Sequence, residues 1–268
     1  MDRKLEIILS IHNPGPQLAR TVASLVAQTD RQFSVLLSDN HSSTGLNHLD
    51  AAQEQLTAAA IPVRRLKPPC ELKRIEHWNW AHARAQADWL KPLFSGEELK
   101  PAYTQRLRQR ISERPQAQLI RCDLEMKTEW GSERMVAPFD QDASNPVEFL
   151  NYFPTHIAWV SRSSNIAYAR TAWLAMGGYS THFPTCAALN LNVILALHYG
   201  LENLAETLVT AELAGGSSLN ENHGERVNLS LELWLILRQA RNYCLAAKLP
   251  WSKRWLFLRG LTAALGRW

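Results

Sequence analysis

Short apolar runs alternate with longer amphipathic ones along the first half of the chain. Leu5-Glu6-Ile7-Ile8-Leu9-Ser10-Ile11 and Phe33-Ser34-Val35-Leu36-Leu37 are compact runs bounded by polar residues, the profile of buried strands, and similar runs recur near 61–66, 88–94 and 117–124. Between them, stretches near 16–28, 47–59, 74–87 and 99–113 carry apolar residues at helical spacing. Pro16 and Pro101 each suit a first helical turn, where the missing N–H would have no partner anyway. Strands separated by helices predict right-handed crossovers and an α/β fold, a mostly parallel Rossmann-like sheet flanked by helices. After about residue 127 the texture changes. Gly131, Pro138, Asn145-Pro146 and Pro154 break the pattern until Ile157-Ala158-Trp159-Val160, which predicts loops and short helices. From 226 onward Leu229, Leu231, Leu233, Trp234, Leu237, Tyr243 and Leu245 read as a helix, followed after Pro250 by Trp251, Trp255, Leu256, Leu258 and Leu261.

The first βαβ unit is also where polar side chains gather. The first strand runs into His12-Asn13-Pro14 and the second stops at Ser38-Asp39-Asn40-His41-Ser42-Ser43. Both turns fall at the carboxyl ends of adjacent parallel strands, where open α/β sheets bind ligands. This predicts a nucleotide pocket. Asp39 and Ser42 also suit plain turn capping through side-chain to backbone hydrogen bonds.

At 268 residues the chain can form one large α/β domain or two closely packed halves, and 46% hydrophobic with 20% charged residues gives no sign of disorder. Cys70, Cys122, Cys186 and Cys244 are scattered without a CxxC pair or metal-ligand spacing, so reduced thiols are expected, with neither disulfide nor zinc. No apolar run approaches the roughly 20 residues of a bilayer span, and the chain enters its first strand without a signal-peptide profile, so a cytoplasmic protein is expected. The net charge of +4 is uneven, because residues 226–268 hold eight Lys or Arg against a single Glu.

The succession of a strand into the Asn13 turn, a helix with Ser24-Leu25 and Gln28-Thr29, and a strand ending in Asp39-Asn40-His41-Ser42 resembles the opening of family 2 glycosyltransferases. The resemblance covers roughly residues 4–225. It implies a GT-A fold, with 1–115 as the nucleotide-sugar half, 116–225 as the acceptor half and 226–268 as a helical appendage. It also implies a nucleotide-sugar donor, with Asp39 against the base, His12 or Asn13 beside it, and Arg74 or Lys73 near the phosphates.

The resemblance weakens toward the catalytic centre. Relatives carry an Asp-Asp or Asp-x-Asp element where this chain has Phe94-Ser95-Gly96-Glu97-Glu98-Leu99-Lys100-Pro101. A donor pyrophosphate calls for Mg²⁺ or Mn²⁺, hard cations that take carboxylate oxygens. Gly96 offers none. Glu97 is then the first candidate ligand and Glu98 the second, unless both are simply favourable charges at a helix start. Ser163-Ser164-Asn165-Ile166-Ala167-Tyr168-Ala169-Arg170 and Met176-Gly177-Gly178-Tyr179 resemble the acceptor-side strand, helix and turn, after which relatives present an acidic general base. Here Pro184-Thr185-Cys186-Ala187-Ala188-Leu189-Asn190 holds no carboxylate. Where relatives have Tyr-Arg-x-His before Gly-Gly-Ser, the chain reads Ala211-Glu212-Leu213-Ala214-Gly215-Gly216-Ser217.

Two functions follow from the resemblance. One is inverting transfer of a sugar from a nucleotide donor to a glycan or lipid-linked acceptor, as in polysaccharide biosynthesis, with divalent-metal help weakened. The other is a non-catalytic homologue that binds or scaffolds. Asp123, Glu125, Asp140, Asp142, His156 and His223 are the residues that could restore chemistry from elsewhere, against the ordinary reading of surface or satisfied polar groups. The basic, Trp-rich segment 250–268 (Trp251, Trp255 and Trp268 with Lys253, Arg254, Arg259 and Arg267) suits either the interface of an anionic membrane or packing on the domain. No nucleic-acid module is recognisable.

Overall fold

The computed structural model describes residues 3–136, 149, 160, 162–212 and 223–246, with side chains of the last helix described over 231–243. Its elements are β1 (Leu5–Ile11), α1 (Gln17–Val26), β2 (Ser34–Asp39), α2 (Leu46–Ala58), β3 (Val63–Leu66), α3 (Arg74–Ala83), β4 (Trp89–Leu93), β5 (Glu98–Leu99), α4 (Tyr103–Glu113), β6 (Leu119–Thr128), β7 (Gly131–Met135), β8 (Ile166–Ala169), α5 (Arg170–Ala175), α6 (Ala187–Tyr199), β9 (Glu202–Glu212) and α7 (His223–Ala246).

One sheet runs β3-β2-β1-β4-β8-β6-β9-β5, with β7 added on β6. The α/β architecture matches the sequence expectation: β3, β2, β1 and β4 are parallel neighbours, and β9 runs parallel to β6. The second half is mixed, because β8 lies antiparallel to both β4 and β6. β1 explains its own composition. It is hydrogen-bonded on both edges, to β2 and β4, and covered on both faces, so an almost uninterrupted apolar run is what its position demands.

Two expectations are corrected. The helix expected from 99 begins at Tyr103, because Glu98 and Leu99 pair with Thr210 and Val209 of β9 and form a short strand instead. The polar stretch after 127 does not open into loops at once. β6 continues to Thr128 and turns through Glu129-Trp130 into β7, with Leu124 to Thr128 paired against Met135 to Gly131. Ile157 to Trp159 lie outside the described residues.

The core spans both halves, from Ile7, Leu9 and Leu37 through Trp89 and Tyr103 to Tyr168 and Leu195. Charged side chains are buried with it, Lys91 and Arg121 completely. Lys91 of β4 is fully enclosed, with its ammonium donating to the carbonyls of Pro92 at 2.9 Å and of Ser164. Burial pushes this lysine down to about 8. Among the described residues no helix is long and apolar enough to cross a membrane.

Candidate functional site

At the carboxyl ends of β1 and β2 the two polar turns are braced against each other. Asn13 sits in the left-handed region (φ 48°), which an asparagine tolerates better than most residues. Its side-chain oxygen accepts the backbone N–H groups of Ser43 (2.8 Å) and Thr44 (3.2 Å), and its own N–H donates to Ser42 Oγ at 2.8 Å. His12 donates from Nδ1 to the Asn40 carbonyl at 2.9 Å, which leaves Nε2 as acceptor for the Asn13 amide at 3.1 Å. Gly45 completes the junction. It caps α2 at φ 71°, and a Cβ there would stand 1.8 Å from the Pro14 carbonyl oxygen.

Asp39 lies at the centre of this brace and is buried. Its Oδ1 accepts the Ser42 N–H at 3.0 Å, whereas Oδ2 has no hydrogen-bond partner among the described residues. Behind it, Ser38 Oγ meets His77 Nε2 at 2.8 Å. Burial foremost, helped by the nearby His12 and opposed by Asp39, pushes His77 down to about 4, so this imidazole is neutral at ordinary pH.

His77 belongs to α3, and the rest of that helix ties the two halves together. Arg74, its first residue, is exposed and donates to the Pro184 carbonyl, with its guanidinium 5.6 Å from the Trp78 ring. Trp78 in turn packs on Phe94 (4.9 Å) and Tyr179 (5.4 Å). Asn79 holds Tyr179 at both backbone groups, 2.8 Å each. Lys73 is exposed, and its N–H is capped by Glu76 at 3.3 Å. Charged and aromatic groups from α3 thus line the seam between β2, the end of β4 and the 179–184 segment.

The turn after β4 is poorly equipped for a metal. Gly96 adopts φ 95°, a conformation that disfavours an Asp there, and its N–H goes to Thr21 Oγ1 at 2.9 Å. Glu97 faces inward: its Oε2 closes the turn on the Phe94 N–H at 3.0 Å, beside Lys91 and Ser164. Burial, more than any other influence, raises this carboxyl. Glu98 is half-buried on β5 and adds a negative charge near Arg20. Among the described residues no cluster of three or more His, Cys, Asp or Glu could hold a metal ion. The described residues at Gly96 to Glu98 therefore do not make a donor set for Mg²⁺ or Mn²⁺.

On the opposite side of the seam, α6 starts at Ala187-Ala188 without an acidic side chain of its own. A carboxylate nonetheless reaches this end. Glu232 of α7 is buried and accepts the N–H groups of Thr185 (3.1 Å) and Cys186 (2.7 Å). Burial, and then the charge of Glu232, push the Cys186 thiol up to about 12.

No protein-family model matches this chain, and no curated protein does. Solved structures do. TarS 1–349 from S. aureus, in complex with UDP-GlcNAc, aligns with TM-score 0.69 at 13% identity over 98% of this chain and 72% of that one. The mannosyltransferase PcManGT from Pyrobaculum calidifontis, in complex with GDP-Man and Mn²⁺, aligns with TM-score 0.58 at 12% identity over 100% of this chain and 75% of that one. GalNAc-T7 with UDP, GalNAc and Mn²⁺ reaches 0.58 at 14% identity over 78% of this chain and 44% of that one. The fold is that of GT-A glycosyltransferases.

Within this GT-A fold, His12 and Asn13 follow β1, Asp39 ends β2 and Arg74 begins α3, whereas Glu97 turns inward after β4. Asp123 is buried against Arg121 at 2.7 Å, and Glu125 pairs with Lys100 at 3.1 Å. Glu212 grips Arg20 through both oxygens at 2.6 and 2.7 Å. Asp140, Asp142, His156, the His223 side chain, Leu213 to Ser217 and the whole of 250–268 lie outside the described residues. Sequence reasoning missed His77, Lys91 and Glu232. The last had a signal, being the single acid in the basic stretch 226–268.

Proposed function

We propose that this GT-A protein binds a nucleotide-sugar donor across the carboxyl ends of β1, β2 and β4 and transfers the sugar, with inversion, to a glycan or lipid-linked acceptor, as family 2 glycosyltransferases do. One observation carries the reading. Asp39 is buried at the strand end, its Oδ1 engaged by Ser42 and its Oδ2 unpaired among the described residues, which leaves a carboxylate oxygen to accept N–H groups from a nucleobase. Arg74 at the start of α3 supplies a cation for the diphosphate, with Lys73 next to it, and His12 and Asn13 form the floor. Neighbours of the same fold support the donor class, since their names record UDP-GlcNAc, GDP-Man and UDP. A cytoplasmic location, peripheral on the membrane through 250–268, would place the protein beside a lipid-linked acceptor.

A second reading rests on its own observation. Gly96 brings no carboxylate, Glu97 turns inward, and Ala187-Ala188 stand at the start of α6. General-base help is worth about 10²–10⁴-fold, so a chain lacking it transfers slowly or acts as a binding subunit. Calorimetry with UDP, GDP and dTDP tests the site. Binding of one of them, lost in Asp39→Ala, is the expected result; indifference to all three removes the assignment. Donor hydrolysis by the wild-type protein then separates the readings: slow turnover supports the enzyme, and none across a broad donor panel supports the binding subunit.

A further inference from the structure

Glu232 is the last residue one would assign to a nucleotide site, because it sits on α7, near the end of the described chain and far from the first βαβ unit in sequence. Its surroundings are nevertheless specific. It is 4% exposed, and it spends its carboxylate on two consecutive backbone donors, the N–H groups of Thr185 and Cys186. These precede the first residue of α6, where unpaired N–H groups and the positive end of the helix dipole favour an anion. The residue just before them is Pro184, and its carbonyl oxygen is the acceptor for Arg74. A continuous chain of contacts therefore runs from the α7 carboxylate, through three consecutive residues of one connection, to the guanidinium at the seam.

We propose that Glu232 is a positioning residue for Arg74: by pinning the 184–186 segment it holds the Pro184 carbonyl where the Arg74 guanidinium is fixed toward the donor diphosphate. The inference rests on the nucleotide-binding reading of the seam. Physically it is a matter of preorganisation. An arginine side chain carries substantial rotamer freedom, and an acceptor held in place removes part of that freedom before the ligand arrives. Release of the segment lets Pro184 move, and Arg74 then has to be ordered at the expense of diphosphate affinity. The base contact at Asp39 is braced separately, by the Ser42 N–H on its Oδ1 and by the Asn13 N–H on Ser42 Oγ, so it is untouched.

The test uses whichever of UDP, GDP and dTDP binds best, with its nucleoside as the control ligand, on the full-length protein. Glu232→Ala, with Glu232→Gln as the milder variant in case the first fails to fold, is combined with Arg74→Gln in a double-mutant cycle. The expected result is that Glu232→Ala weakens the diphosphate about tenfold, the scale of one hydrogen bond, while nucleoside affinity stays constant. In the Arg74→Gln background the same change should have no further effect. Amide exchange at Thr185 and Cys186 should accelerate in both Glu232 variants. Equal weakening of nucleoside and diphosphate, or additive losses in the cycle, overturns the positioning role while leaving the donor site standing. A wild-type protein that binds no nucleotide at all, with exchange still accelerated in the Glu232 variants, overturns the donor reading and this inference with it, and leaves only a structural clamp.

Discussion

Two buried histidines make the stability of this protein depend on pH in a window that ordinary surface residues leave alone. His82 of α3 is fully enclosed, stacked on Trp173 at 5.6 Å and Tyr168 at 6.0 Å with the edge of Tyr179 at 5.2 Å. Its Nδ1 donates to the Trp78 carbonyl at 2.7 Å, and Nε2 has no partner among the described residues, so protonation would create a buried N–H with no described acceptor. Burial is the main reason that both His82 and His77 fall from an ordinary 6.5 to about 4. Each folded-state value lies below the unfolded one, so the unfolded chain takes up protons first. The stability is complete above about 6.5 and is lost as pH falls toward 4. Integrated from pH 7 to pH 5, the linkage comes to about 2 kcal/mol per imidazole and about 4 kcal/mol for the pair, a large fraction of the ~5–15 kcal/mol typical of a domain. Glu97 acts in the opposite sense, because a raised carboxyl pKa gains stability on acidification, so the slope has to be assigned by substitution. Urea unfolding at pH 7, 6 and 5 should show a falling midpoint in the wild-type protein, and His82→Phe should remove about half of the fall. A midpoint that is flat over this range, or an undiminished fall in His82→Phe, would refute the reasoning.

Three further outcomes can be checked directly. Gly178→Ala should lower stability by about 2–3 kcal/mol and the melting temperature visibly, because φ is 77° and a Cβ would stand 2.6 Å from the Trp173 ring and 2.7 Å from Asn79 Oδ1. Gly131→Ala, also at positive φ but with nothing within 4 Å, should cost less, and equal losses by thermal melting would show that strain rather than the close approach decides. Added Mn²⁺ should tighten nucleoside diphosphate binding by less than about tenfold, since losing a charge-assisted contact typically costs ~1.5–3 kcal/mol; tightening by several hundredfold in calorimetry would mean a carboxylate set not identified at Gly96 to Glu98. Deletion of 250–268 should reduce sedimentation with anionic liposomes by an amount that shrinks with salt, and unchanged sedimentation would count against a membrane role for the segment.

What could be read in advance divides along a physical line. β1 and β2 were legible because strands buried on both faces leave uninterrupted apolar runs, and the α1 to α4 stripes because each helix buries one face against that sheet. β5 was not legible. A two-residue strand at Glu98-Leu99 exists only through its partner β9, which lies more than a hundred residues on, and no local pattern encodes it. The β6–β7 hairpin was hidden for a related reason, since β7 is mostly exposed and carries no alternation to reveal it. In the site, Asp39 and Asn13 were visible because turns at strand ends use a small set of residue types. The inward turn of Glu97 was not, because it depends on the Lys91 side chain of β4 and on Ser164, in the turn before β8, lying beneath the same turn.

The same division bears on what the retained residues mean. Asn13, Ser42 and the Oδ1 of Asp39 bond to one another and to backbone groups, so they would be kept for the fold even without a ligand. Their presence alone is weak support for binding. Asp39 Oδ2 and the Arg74 guanidinium are different. The first has no hydrogen-bond partner among the described residues and the second contributes one hydrogen bond from an exposed position, so neither closes the turns described above. A fold under no demand to bind anything would tolerate Asn at 39, since the amide oxygen could still accept the Ser42 N–H. Asp39→Asn is therefore the sharpest separation of the two duties. It keeps the acceptor that braces the turn and replaces the free carboxylate oxygen with a donor, so stability should change by under about 1 kcal/mol while nucleotide affinity drops by at least about tenfold. Loss of stability with nucleotide affinity unchanged in the folded protein would show that Asp39 serves the fold alone.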